Sequence, residues 1–117
     1  MASTLDIYSQ SQQARVFKAF SDINRLQIIE LIRTGEKNAS EINECIAISQ
    51  STLSHHMKVL VDSGIVNVRR QGKFSYYSLS PRGVDFAIRL ILLITDYNVE
   101  GRADAVKAAV NSQKKVA

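Results

Sequence analysis

Six polar residues along one periodic segment carry the strongest chemical signal in the sequence. From Gln50 to Asp62 the apolar residues Leu53, Met57, Leu60 and Val61 recur at helical spacing, so Gln50, Ser51, Thr52, Ser54, His55 and Lys58 face outward. An ordinary solvated face would be built from Glu and Lys. Short hydroxyls and amides let a helix sit deep in the major groove of DNA, where Gln can bond adenine at two points and Ser or Thr can reach base edges or phosphates. The helix N-terminus adds free N–H groups and the positive end of its dipole, both suited to phosphate.

A second basic element follows directly. After Gly64 the hydrophobic period changes from helical to alternating, and Ile65–Arg70 and Phe74–Leu79 flank Gln71-Gly72 as the two strands of a hairpin. Arg69, Arg70 and Lys73 gather near its tip, while Phe74, Tyr76 and Tyr77 stiffen it. Such a tip can clamp the DNA backbone or minor groove beside a recognition helix; an ordinary solvated turn is the other reading of these charges.

Elements before and after must hold these two in place. Val16, Phe17 and Phe20 give residues 12–20 one apolar side, and Asp22 caps a second helix whose Leu26, Ile28, Ile29, Leu31 and Ile32 form a wide apolar face ending at Thr34-Gly35. Asn38 or Ser40 can cap a short third helix ending near Ala47, with Ile42, Cys45 and Ile46 on its buried side. The brief turn to the Ser49-capped fourth helix makes residues 40–63 a helix-turn-helix and 65–79 its wing. Ser80-Pro81 opens the longest helix, 81–97, and Gly101 separates a short amphipathic tail, 103–110. The expected fold is mainly α with a small β-hairpin (α+β), a winged helix-turn-helix of four helices, hairpin, fifth helix and short C-terminal helix, as one domain over 1–117.

The helix from Pro81 is apolar almost all round, which implies burial on more than one side. A domain this small cannot cover both sides, so a two-fold homodimer is expected, through Val16, Phe17 and Phe20 of the first helix and Val84, Ala87, Ile88, Ile91, Leu92 and Thr95 of the last. Two recognition helices about 34 Å apart would then read an imperfect palindrome in double-stranded DNA.

Val16-Phe-Lys-Ala-Phe-Ser-Asp-Ile-Asn-Arg-Leu26, Ser49-Gln-Ser-Thr-Leu-Ser-His-His-Met-Lys-Val-Leu60, Gly64-Ile-Val and Arg69-Arg-Gln-Gly-Lys-Phe-Ser-Tyr-Tyr-Ser-Leu79 together resemble the ArsR/SmtB family of arsenical- and metal-resistance regulators. The resemblance implies a dimeric winged-helix protein, usually a repressor, with Gln50, Ser51, Thr52, Ser54 and His55 on DNA and Arg69, Arg70 and Lys73 in the wing. It also implies a Cys-x-Cys metal sensor at the start of the third helix. Those positions here are Asn38 and Ser40, which supply no thiolate. A second family site, on the last long helix, needs histidine, and the chain has only His55 and His56.

The adjacent histidines point about 100° apart on a helix and are poor co-ligands. His56 borders the apolar stripe and is expected as a packed structural histidine, with phosphate contact as the alternative; His55 faces DNA. Asp96, Glu100 and Asp104 are expected as a solvated acidic side, and Cys45 as buried apolar filling rather than a redox sensor. No metal site, cofactor or catalytic set emerges, so an enzyme is not expected.

Composition agrees with these expectations. The net charge of +4 favours an anionic partner. One cysteine forms no internal disulfide, no secretory signal is visible at the N-terminus, and the longest apolar run, Phe86–Ile94, contains Arg89. It is far short of the roughly 20 residues that cross a bilayer, so a cytoplasmic protein is expected. The competing functional class is a protein-interaction module built on the same winged helix without operator binding; no inducer is named by the sequence.

Overall fold

The computed structural model describes residues 9–96 and 107–111. Its elements are α1 (Gln10–Ala19), α2 (Ile23–Ile32), β1 (Lys37–Asn38), α3 (Ala39–Cys45), α4 (Gln50–Asp62), β2 (Val66–Gln71), β3 (Phe74–Leu79) and α5 (Pro81–Ile94). Residues 107–111 are helical and overlap the expected tail, 103–110, running one residue past its end.

Each of α1–α5 starts at a side chain that accepts from its first turn. Ser9 and Gln12 form a capping box on α1, and Asn38 and Glu41 form another on α3. Asp22 accepts from the N–H groups of Asn24 and Arg25, Ser49 from Thr52, and Ser80 from Gly83 beside Pro81 at the first turn. Such caps are each worth about 1 kcal/mol, which matters most for short helices such as α3.

The core is continuous. Ile28 and Ile32 of α2, Ile42 of α3, Leu60 of α4, Ile65 and Val66 entering the hairpin and Leu90 of α5 are its largest fully buried side chains. Val16 and Ala19 of α1 and Ala87 of α5 join the same cluster. The hairpin pairs Val66 with Leu79 through Gln71 with Phe74, leaving Gly72-Lys73 as its loop. Gly72 has φ +61°, the left-handed conformation that a two-residue hairpin loop favours at its first position.

The sheet has a third strand that the sequence did not announce. β1 pairs antiparallel with β3, Lys37 opposite Tyr77 and Asn38 opposite Tyr76, giving the order β1-β3-β2. Two residues are too few for an alternating pattern to register.

Several expectations are corrected. Leu26 is 47% exposed, and the inward face of α2 runs instead through Arg25, Ile28 and Ile32. Leu26 stands two residues from Ile28, about 200° around the helix, and so points away. Cys45 is exposed because α3 ends there: Ile46 is already extended at φ −126°, ψ 121° and turns inward on its own, leaving the thiol on the rim. Val16 and Ala87, expected at a dimer interface, are 3% and 4% exposed and pack in the chain's own core. The longest helix ends at Ile94 rather than near Tyr97, with Thr95 as its C-cap and Asp96 at φ 50°; Tyr97, Glu100 and Asp104 lie outside the described residues.

Candidate nucleic-acid interface

Gln50, Ser51, Thr52, Ser54, His55 and Lys58 are all exposed, while Leu53, His56, Met57, Val59 and Leu60 are buried. The structure therefore separates the outward polar face of α4 from its inward face as its periodicity requires. At the N-terminus the Ser49 hydroxyl accepts from the Thr52 N–H at 3.1 Å, donates to Thr52 Oγ1 at 2.9 Å and lies 3.2 Å from Ser51 Oγ. This hydroxyl cluster pre-orders the end of the helix that a phosphate or base would meet.

Two open clefts flank α4. One, of about 480 Å³, lies against α3 and is lined by Ser40, Asn43, Glu44, Gln50 and Ser54. The other, of about 420 Å³, lies against the wing and brings Ser54 and Lys58 together with Arg70, Ser75 and Tyr77. Ser54 borders both. Lys58 is partly engaged by Asp62 one turn on, at 3.3 Å, with both side chains well exposed.

The two adjacent wing arginines part company, because successive strand residues point to opposite faces. Arg70 turns towards α4 and donates to Ser75 Oγ at 3.3 Å. Arg69 turns the other way: Nη2 and Nε donate to the Glu36 carboxylate at 2.7 and 3.2 Å, and Nη1 donates to Gln71 at 2.6 Å. Its guanidinium also lies 4.6 Å from the Tyr76 ring centre. The Arg69 hydrogen bond holds Glu36 below the usual carboxylate range. Lys73 stays at the tip, its ammonium 5.7 Å from the Phe74 ring.

What holds α4 was only partly legible. Arg25, buried to 6% exposure, donates from Nη1 to His56 Nδ1 at 2.8 Å, from Nε to the Lys18 carbonyl at 3.1 Å and from Nη2 to Ser21 Oγ at 3.3 Å. A guanidinium only donates, so His56 Nδ1 accepts and the ring proton sits on Nε2, 3.9 Å from Asp22 Oδ1. Burial pushes His56 below its ordinary value; Asp22 pulls it up, and Arg25 and His55 push it further down. The expected packed histidine is found, but its partner is an arginine the sequence reading passed over. Asn43 was missed as well: its amide donates to the Ile48 carbonyl at 2.9 Å and closes the turn between α3 and α4. The sequence signal for Arg25 is its i, i+3, i+7 spacing with Ile28 and Ile32; for Asn43 there was none.

The chain matches the model of the bacterial regulatory protein, arsR family, over residues 22–68, from the cap of α2 into β2. It is 37% identical to the arsenical resistance operon repressor of Staphylococcus aureus over 90 residues, 77% of this chain and 86% of that protein. The chain belongs to the ArsR family. It is also 36% identical to the transcriptional repressor SdpR of Bacillus subtilis, over 66% of this chain and 86% of that one. A homodimeric winged helix-turn-helix DNA-binding domain from Mycobacterium bovis, a possible ArsR-family regulator solved in solution, superposes with a TM-score of 0.62 at 29% identity, covering 86% of this chain and 93% of that one. The fold is thus the winged helix-turn-helix of an ArsR-type transcriptional regulator.

The thiolate metal sensor implied by the resemblance does not fit this chain. Asn38 spends its side-chain oxygen on the Glu41 N–H at 2.9 Å as the cap of α3, and Ser40 offers only a hydroxyl. Among the described residues, no three His, Cys, Asp or Glu side chains stand together as a metal-binding group. Among the same residues, no helix is long and apolar enough to cross a membrane.

Proposed function

We propose that this ArsR-type regulator is a cytoplasmic, non-enzymatic repressor that binds an imperfect palindrome in double-stranded DNA as a homodimer. The observation that carries the reading is the exposed polar face of α4, Gln50, Ser51, Thr52, Ser54, His55 and Lys58, set beside Arg70 of the wing. Gln50, Ser51, Thr52, Ser54 and His55 enter the major groove, Lys58 and Arg70 hold the flanking phosphates, and Lys73 meets the backbone at the wing tip. Arg69 braces the wing through Glu36 and has a smaller share in DNA contact.

The dimer surface is carried by what α1 and α5 leave uncovered. Phe17 and Phe20 are 39% and 40% exposed, and Ile88 and Ile91 55% and 48%. Val84 and Leu92 are half-buried and Thr95 is exposed on the same helix. Apolar residues in such numbers on two helices are covered most economically by a second copy. Release from DNA follows a signal other than thiolate metal binding. Selection of bound fragments from genomic DNA by the purified protein tests the reading: recovery of a shared palindromic element is expected, and recovery of unrelated sequences would refute it.

A further inference from the structure

His56 belongs to the recognition helix, yet it is bonded to the corner between α1 and α2. Arg25 is the connecting piece, with one guanidinium nitrogen on His56 and the others on the Lys18 carbonyl and Ser21 at the end of α1. The bond requires an unprotonated Nδ1. A proton there would set an N–H against a guanidinium that has no lone pair to offer, between two buried side chains. The charged groups facing the ring are Asp22 and Arg25 from α2 and His55 from α4, while α1 presents the Lys18 carbonyl through Arg25.

We propose that Arg25 is a positioning residue: through the neutral ring of His56 it fixes the recognition helix to the α1–α2 corner, and protonation of that ring releases the helix and weakens operator binding. This rests on the DNA-binding function proposed above. Binding therefore weakens as pH falls, the opposite of what added positive charge on the DNA-facing surface would do.

The test measures operator affinity of the full-length protein as a function of pH. In parallel, NMR follows titration of the His56 ring and amide exchange follows residues 53–60. Each protomer binds at full strength only with His56 neutral, so well below the His56 midpoint affinity falls by up to about tenfold per pH unit for each protomer, about a hundredfold for the dimer. Exchange in α4 speeds up with the same midpoint. His56→Asn offers a side-chain oxygen near Nδ1 that accepts from Arg25 and does not titrate, so this variant binds like the wild type at neutral pH and keeps that affinity in acid.

An affinity that holds or rises through the His56 midpoint, or an acid loss that persists in His56→Asn, overturns the proposal. If His56→Asn does not fold, the wild-type affinity and exchange profiles decide alone. If no duplex binds at any pH, the DNA-binding function fails; exchange still decides the positioning role, and protection that is unchanged across the titration overturns it.

Discussion

Glu36 and Arg69, separated by 33 residues in sequence, meet in a two-point ion pair of 2.7 and 3.2 Å that ties the wing to the loop after α2. The pair turns Arg69 away from α4 and leaves Arg70 as the wing cation on the recognition side. Arg70→Ala should therefore flatten the plot of log operator affinity against log salt by about one unit per protomer, the loss of one phosphate contact. Arg69→Ala should change that slope by less than about half as much. Equal effects of the two variants in a salt titration would contradict the assignment.

Arg25 serves three acceptors at once, two of them on the α1 corner and one on α4. Arg25→Met keeps the length of the side chain and removes every donor. Lys18 and Ser21 are exposed, so only His56 Nδ1 is left as a buried acceptor without a donor, and the variant should lose about 1–3 kcal/mol in urea unfolding at fixed protein concentration. A loss under about 1 kcal/mol would show that water replaces the guanidinium.

Stability should also depend on pH in a defined window. The folded-state value of His56 lies below 6.5, so the unfolded chain takes up the proton first as pH falls. The contribution is complete above about pH 6.5 and is lost as pH drops from there towards the folded-state value. Asp22 acts in a separate range. Partial burial raises its carboxyl, but the N–H bonds from Arg25 and Asn24, with His56 and Arg25 nearby, bring it below 3.8. Its contribution is present above 3.8 and is lost only at lower pH. Unfolding free energy should fall as pH drops below about 6.5 in the wild-type chain and stay flat through the same range in His56→Asn; an equal decline in both would assign the effect elsewhere.

Gly83 in the first turn of α5 lies against the turn that ends α4. A Cβ there would overlap the Gly64 carbonyl oxygen and stand 2.6 Å from its carbon and 3.2 Å from Ile65 Cα, all backbone atoms that cannot swing aside. Gly83→Ala should cost roughly 1–3 kcal/mol by prising α5 from the base of the wing. An unchanged unfolding midpoint would mean that the helix shifts freely.

The proposed dimer surface gives a further outcome. Ile88 and Ile91 are about half exposed on α5, and Ile88→Glu with Ile91→Glu places two charges where the partner would sit. The double variant should sediment as a folded monomer at concentrations where the wild type is a dimer. A dimer that survives both charges would move the interface elsewhere.

Much of this was legible in the sequence, and the reasons differ by element. The inward stripe of α4 and its outward polar set followed from period alone, because Leu53, Met57 and Leu60 leave no other way to turn the helix. The hairpin followed from the change of period at Gly64. Arg25 was hidden because a charged residue is assumed to face water, and its burial depends on three acceptors brought together only by the fold. Strand alternation alone sets Arg69 and Arg70 on opposite faces, but that Arg69 is the one engaged by an acid depends on Glu36, whose place beside the wing is set by the two-residue strand β1. Cys45 was misplaced because the reading extended α3 beyond the point where Ile46 leaves it. Gly83 carried no local signal, since its reason is a neighbour 19 residues earlier in the chain.

The central claim is that α4 reads DNA, and affinity for the selected operator tests it most directly. Anisotropy of a labelled duplex should show two chains bound per operator and a log–log salt slope of about −5, as expected for about three phosphates per protomer. Ser54→Glu with His55→Glu should cost at least about a hundredfold while leaving the dimer intact. Equal affinity for the operator and a scrambled duplex of the same length, or undiminished binding by the double variant, would contradict it.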